Sequence, residues 1–233
     1  MALSANADID KLNERIKEFK PLSVCVNDYS RALALSKITK PGVKVFAGSE
    51  GLVELVRDER IDHVLFAISG SGALAPLLSA IESGKHIALA NKEALVMAGP
   101  LIMRLSRKKN ARIIPVDSEQ SAIWQCLKDE DSRSLKNIYL TASGGPLRKL
   151  NKQALKNIRL KEVLKHPRWK MGAKISVDSA TLMNKGLELL EAMFLFNVDI
   201  VKIKVLVHPE ALIHSMVEFI DGVIIGQLSI TDM

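Results

Sequence analysis

The chain has 233 residues, with 33 Lys and Arg against 26 Asp and Glu, a formal net charge of +7. Apolar residues at 48% and charged residues at 25% exclude disorder, collagen-like repeats and low complexity, and 4% aromatics leave little for stacking single-stranded nucleic acid. No apolar run reaches the roughly 20 residues of a membrane span, and the opening MALSANADIDK lacks the basic and apolar regions of a signal peptide, so a cytoplasmic protein is expected.

Through the first half, short β-rich runs alternate with stretches of helical period. Strands are predicted over residues 22–26, 43–47, 63–68, 86–90 and 112–116. Residues 8–19 place Leu12, Ile16 and Phe19 on one helical face. Ser49 is the expected cap of a helix carrying Leu52, Val53 and Val56, and residues 73–82 and 93–107 supply two more helices. The alternation predicts βαβ units and a mostly parallel sheet, with runs such as VLFAI and IALA buried on both faces.

After about residue 117 the rhythm changes. Residues 137–142 read as a strand, 151–164 as a charged helix, 166–172 as a loop and 179–196 as one long helix. Residues 202–207 and 213–220 read as strands, with Asp221-Gly222 turning the chain into 223–230 as a hairpin. The second half is therefore expected to be a separate α+β domain with antiparallel strands. Cys25 and Cys126 are too few for a disulfide framework or a thiolate metal site and read as small semi-buried hydrophobes.

Several groupings can carry chemistry. Asp117-Ser118-Glu119 lies at the carboxyl end of the last parallel strand, the edge where open α/β sheets bind ligands. In an extended segment, carboxylates two apart point the same way and offer hard oxygens to Mg²⁺ or Mn²⁺. The same acids also suit the start of a helix over 120–127, where its dipole favours them. Asn184, Lys185 and Glu188 share a helix face. With Ser179 they can hold a phosphate, and Glu188 can complete a metal shell, although a capped helix with a surface Lys-Glu pair has the same pattern.

Thr141 to Pro146, TASGGP, offers backbone N–H groups to an anion or makes a plain turn, and Ser69-Gly70-Ser71-Gly72 is a partial phosphate-type turn. His166 and Trp169, among Lys165, Arg168 and Lys170, form either a lid over an anionic substrate or a loop with its Trp packed on the core. His208 and His214 are six apart across Pro209, which is not a zinc spacing, and read as core histidines.

Five blocks in order, LANKEALV (89–96), PVDSEQSAI (115–123), TASGGP (141–146), HPRWKMGAKISVDSATLMNKGLELLEA (166–192) and HPEALIHSMVEF (208–219), resemble the 1-deoxy-D-xylulose 5-phosphate reductoisomerase family. These are NADPH-dependent enzymes of the non-mevalonate isoprenoid pathway, and their joint occurrence selects the functional alternative in each block. The resemblance implies an α/β fold: a Rossmann-like NADPH-binding domain over residues 1–117 that lacks its first βα unit, then an α+β catalytic domain over 118–233, with the family's C-terminal helical domain absent. It implies a divalent metal, Mg²⁺, Mn²⁺ or Co²⁺, held by Asp117, Glu119 and Glu188. Ser118 and Lys92 would touch substrate. Ser143, Ser179, Asn184 and Lys185 would bind its phosphate, with His166 nearby and Trp169 on a closing loop. Asn91, Glu93 and Gly172 match positions assigned to NADPH. The implied partner is a phosphorylated small molecule, with no nucleic acid or membrane, in a homodimer.

The family's N-terminal strand and GSTGSIG-type turn, which receive the NADPH diphosphate, have no match in residues 1–20, where MALSAN resembles the second strand; the family also continues past ITDM. The expectation is a chain with its metal and substrate residues but an incomplete cofactor site and very low NADPH turnover. The competing expectation is a remnant serving as an interaction or dimerisation module.

Overall fold

The Asp8 carboxylate accepts a hydrogen bond from the Lys11 N–H at 3.0 Å and opens the first helix, α1 (Ile9–Phe19). Its Ile9, Leu12 and Ile16 are buried at helical spacing, and Lys20 ends it in the left-handed conformation. Phe19, expected on the buried face, is 45% exposed because the chain leaves the helix there. The computed structural model describes residues 1–165 and 172–230, in two compact units, Met1–Ile114 and Pro115–Met233.

In the first unit, α1 follows β1 (Ala2–Ala5), and β2 (Ser23–Val26), α2 (Tyr29–Ile38), β3 (Lys44–Ala47), α3 (Gly48–Val56), β4 (His63–Phe66), α4 (Leu74–Glu82), β5 (His86–Leu89), α5 (Lys92–Lys109) and β6 (Ile113–Pro115) come after it. The strands make two three-stranded sheets, β1-β2-β3 and β4-β5-β6, with parallel pairing between β1 and β2, β2 and β3, and β4 and β5. Val24, Cys25 and Val26 are wholly buried, as a strand covered on both faces requires.

Helix α2 is not among the predicted elements. Asp28 caps it by accepting from the Arg31 N–H, but only Ala32 and Leu35 are buried, too narrow a stripe to register as periodicity. Ser49 is not the cap of α3; the helix starts at Gly48 behind Ala47, and Gly48 has φ +71°, a conformation glycine adopts without strain. Helix α5 is kinked at Ala98, two residues ahead of Pro100.

The second unit comprises α6 (Ser118–Cys126), β7 (Leu135–Ala142), α7 (Lys152–Leu155), α8 (Leu160–Val163), α9 (Ala173–Ala180), α10 (Met183–Phe196), β8 (Ile203–Val207), β9 (Ile213–Phe219) and β10 (Ile224–Leu228). Its sheet runs β10-β9-β7-β8. It is mixed rather than antiparallel throughout: β7 pairs parallel with β8, to which α10 carries the chain back, and antiparallel with β9, while β9 and β10 form the predicted hairpin. The charged stretch 151–164 forms two four-residue helices instead of one, since few of its side chains find a core. The long helix expected over 179–196 is two helices, broken where Leu182 adopts φ +61°.

Ile123, Ile138, Leu140, Ala192 and Val217 are completely buried between this sheet and helices α6 and α10. Each large side chain so buried contributes about 1.5–3 kcal/mol of transfer free energy. That core holds the starts of α6 and α10 on a common scaffold. No helix among the described residues is long and apolar enough to cross a membrane.

Candidate metal and phosphate site

The chain leaves β6 and turns into α6 at Ser118, so Glu119 stands in the first helical turn and Asp117 just before it. The extended segment expected for this pair is therefore absent, yet the two acids still converge, because a third comes to meet them from α10. Oxygen atoms of Asp117, Glu119 and Glu188 all lie within 4.8 Å of one another. The Gln120 side-chain amide donates to the Glu188 carbonyl oxygen at 2.9 Å, and Gln120 is wholly buried, so α6 and α10 are tied together beside the acids.

Lys185 is not the surface partner of Glu188 that helical spacing alone allows. Its side chain is 7% exposed, and its ammonium donates to Glu119 Oε1 at 2.9 Å and to Glu188 Oε2. The Asn184 amide donates to the other Glu188 oxygen, and the Ser118 hydroxyl to Glu119 Oε2 at 2.5 Å. Burial alone would lower the Lys185 pKa, but the charges of Glu119 and Glu188 and their hydrogen bonds outweigh it, and the pKa is raised. A centre this rich in hard oxygen donors, already drawing one cation between two carboxylates, fits a divalent ion such as Mg²⁺ or Mn²⁺.

Next to the acids is a cleft lined by Ser118, Glu119, Thr141, Ser143, His208 and His214. Ser143 follows β7 and opens the turn to Gly144 and Gly145, whose φ values are +80° and +65°. A side chain at Gly145 would come within 2.7 Å of the Ser179 carbonyl oxygen, so only glycine lets this turn lie against the end of α9. Ser143, Ser179, Asn184 and Lys185 thus belong to elements packed around one corner of the second unit. The two histidines are not core residues. His208 Nε2 accepts from the Leu212 N–H at 3.1 Å, whereas His214 Nε2 is buried with no hydrogen-bond partner among the described residues. Their signal in the sequence was the HPEALIHS run entering a strand; spacing rules for zinc hid it.

The other predicted residues lie elsewhere. Asn91, Lys92 and Glu93 are in the first unit, where Asn91 and Lys92 are buried. Asn91 caps α5 by accepting from the Ala94 N–H at 2.8 Å, and its amide donates to the carbonyls of Ile68 (2.6 Å) and Gly70 (3.0 Å) and to Glu93 (3.0 Å). It thereby pins the glycine-bearing turn after β4, in which Gly70 has φ +77°, a conformation glycine adopts without strain. Gly172 precedes α9 and accepts from Ser176. His166 and Trp169 lie outside the described residues.

Comparison with known proteins draws these observations together. The family profile 1-deoxy-D-xylulose 5-phosphate reductoisomerase matches residues 1–99, and that of the same enzyme's C-terminal domain matches residues 113–196. The reductoisomerase of Caldanaerobacter subterraneus subsp. tengcongensis is 49% identical over 233 residues, all of this chain and 61% of the relative; that of Pelodictyon phaeoclathratiforme is 49% identical over 99% of this chain and 61% of its own length. Among solved structures, a DOX-P reductoisomerase in complex with NADPH, fosmidomycin and magnesium superposes with a TM-score of 0.94 at 40% identity, covering 99% of this chain and 60% of that one. The Zymomonas mobilis enzyme in complex with NADPH gives 0.91 at 39% identity, covering 100% and 60%. The chain thus spans about 61% of the length of the curated relatives it matches.

Proposed function

The chain belongs to the 1-deoxy-D-xylulose 5-phosphate reductoisomerase family, and from that premise we propose that it contributes the metal and substrate centre for converting 1-deoxy-D-xylulose 5-phosphate into 2-C-methyl-D-erythritol 4-phosphate with NADPH. The single observation that carries this reading is the meeting of Asp117, Glu119 and Glu188 within 4.8 Å beside Lys185. When bound, a divalent ion there supplies Lewis-acid polarisation of the substrate's ketone and neighbouring hydroxyl, and NADPH supplies the reducing equivalent.

The chain's own residues bind and orient. Ser143, Ser179, Asn184 and Lys185 offer two hydroxyls, an amide and an ammonium to the phosphate, a donor set matched to a dianion. Ser118 and His214 present polar atoms to the cleft beside Glu119. Asn91 holds the turn after β4 for the cofactor, with Glu93 and Gly172 as further cofactor contacts and Lys92 as a substrate contact. His166 and Trp169, outside the described residues, are further candidates for substrate contact. The reading includes a cytoplasmic location and a homodimer. Self-association is supported by edge strand β10 and its flanks, where Ile220, Val223, Ile224 and Leu228 are each more than half exposed.

The test is thermal. Mn²⁺ is expected to raise the melting temperature, and 1-deoxy-D-xylulose 5-phosphate to raise it further only with Mn²⁺ present. Glu188→Gln is expected to remove both increments; a wild-type chain indifferent to Mn²⁺ would sink the proposal.

A further inference from the structure

Residues 148–165 carry seven basic side chains, Arg148, Lys149, Lys152, Lys156, Arg159, Lys161 and Lys165, and one acid, Glu162. This net +6 leaves +1 for the other 215 residues. All seven cations are exposed, and the six beyond Arg148 form no ion pair with a carboxylate among the described residues. Helix capping does not require so many, since α7 and α8 have four residues each.

The segment borders the candidate phosphate corner at both ends. At its start, Arg148 Nη1 donates to the Gly145 carbonyl at 3.4 Å, and Gly145 abuts Ser179. At its end, α8 packs against α9, the helix that carries Ser179. The same corner holds three carboxylates, Asp117, Glu119 and Glu188, whose charge Lys185 and a bound divalent ion only balance, so the corner itself exerts no net long-range pull on a phosphorylated substrate. The concentrated positive field beside it supplies one. Unpaired surface charges of this kind alter stability little but act over a screening length of about 8–10 Å at physiological salt, enough to bias diffusional encounter.

We propose that the 148–165 segment is an electrostatic guide that accelerates capture of the phosphorylated substrate without contributing to its bound-state affinity contacts. This rests on the site reading given under Proposed function and adds a kinetic role to residues outside that site.

The test is stopped-flow mixing of the Mn²⁺-loaded chain with 1-deoxy-D-xylulose 5-phosphate, followed by tryptophan fluorescence. Wild type is compared with Lys152→Glu/Lys156→Glu/Lys161→Glu, with the milder triple Gln variant, and with Lys11→Glu/Lys17→Glu/Lys37→Glu, which changes the net charge equally on exposed lysines of the first unit. At about 10 mM ionic strength, where screening reaches only beyond roughly 30 Å, the first variant is expected to lower the association rate constant about tenfold. The Gln variant should fall between, the first-unit control should change little, dissociation should stay unchanged, and the differences should shrink toward about 150 mM. An unchanged association rate, an effect confined to dissociation, or an equal loss in the first-unit control overturns the guide. Absence of any binding by wild type overturns the functional reading itself, and so is distinguishable from failure of the guide alone.

Discussion

Lys185 Nζ and Glu119 Oε1 meet at 2.9 Å although 66 residues separate them, with the lysine side chain 7% exposed and the glutamate 19%. The same ammonium reaches Glu188 one turn along its own helix. A buried cation held by two acids offsets part of the charge of a three-carboxylate cluster that would otherwise oppose folding more strongly until a metal arrives.

Removing that cation should therefore be costly without metal and much less so with it. Lys185→Met is expected to lower metal-free stability by about 3 kcal/mol, the usual cost of leaving buried charge uncompensated. The Mn²⁺-induced rise in melting temperature should exceed that of wild type. Differential scanning fluorimetry with and without Mn²⁺ reads both; equal Mn²⁺ increments would contradict the compensating role.

Glycine is required where Gly145 meets Ser179. An alanine there combines a left-handed φ of +65° with a Cβ 2.7 Å from a backbone oxygen that cannot rotate away. Gly145→Ala should cost about 1–3 kcal/mol. It should also weaken protection by 1-deoxy-D-xylulose 5-phosphate more than protection by Mn²⁺ alone. Urea unfolding and ligand-dependent melting check the two halves.

Acid stability should depend on Glu218. Its oxygens accept from Lys136 (2.7 Å), Tyr139 (2.6 Å) and Asn137 (2.8 Å) across β7 and β9, and these bonds lower its pKa from 4.5 to about 2. A depressed carboxylate pKa contributes stability that is fully present above the unfolded value and is lost as pH falls from about 4.5 toward 2. Glu218→Gln should therefore be less stable than wild type at neutral pH, with the gap closing over that acid range in pH-dependent denaturation curves.

Neither cysteine should react in the folded protein. Burial pushes the Cys25 thiol up to about 11 and raises that of Cys126, so little thiolate exists near pH 8. Ellman's reagent should report no fast-reacting thiol in native buffer and two after denaturation; one fast thiol in native buffer would contradict the burial of that residue.

Much of the architecture is written locally. All five strands predicted in the first half occur, and the apolar face of Leu12 and Ile16 marks α1; but VLFAI is not buried on both faces as expected, since β4 is an edge strand that stops at Phe66, with Phe66 buried and Leu65 64% exposed. Where local signals are weak or shared, the structure departs from them. Helix α2 buries two residues only, Ser49 has the chemistry of a cap without the position, and the break at Leu182 carries no proline or glycine to announce it. His208 and His214 have an uninformative spacing and reach the cleft only because the end of β8 carries the first there and the start of β9 the second.

The sequence by itself determined the family, through five ordered blocks, and the residue types at each position of the site. It left open whether Asp117 and Glu119 merely began a helix and whether Lys185 merely decorated one. Only the tertiary structure decided that these side chains meet Glu188, because the contact joins segments some 70 residues apart and depends on the shared core of Ile123, Ile138, Leu140, Ala192 and Val217 that seats α6 and α10 together. Periodicity reports which face of an element is apolar; packing decides which polar ends are brought face to face.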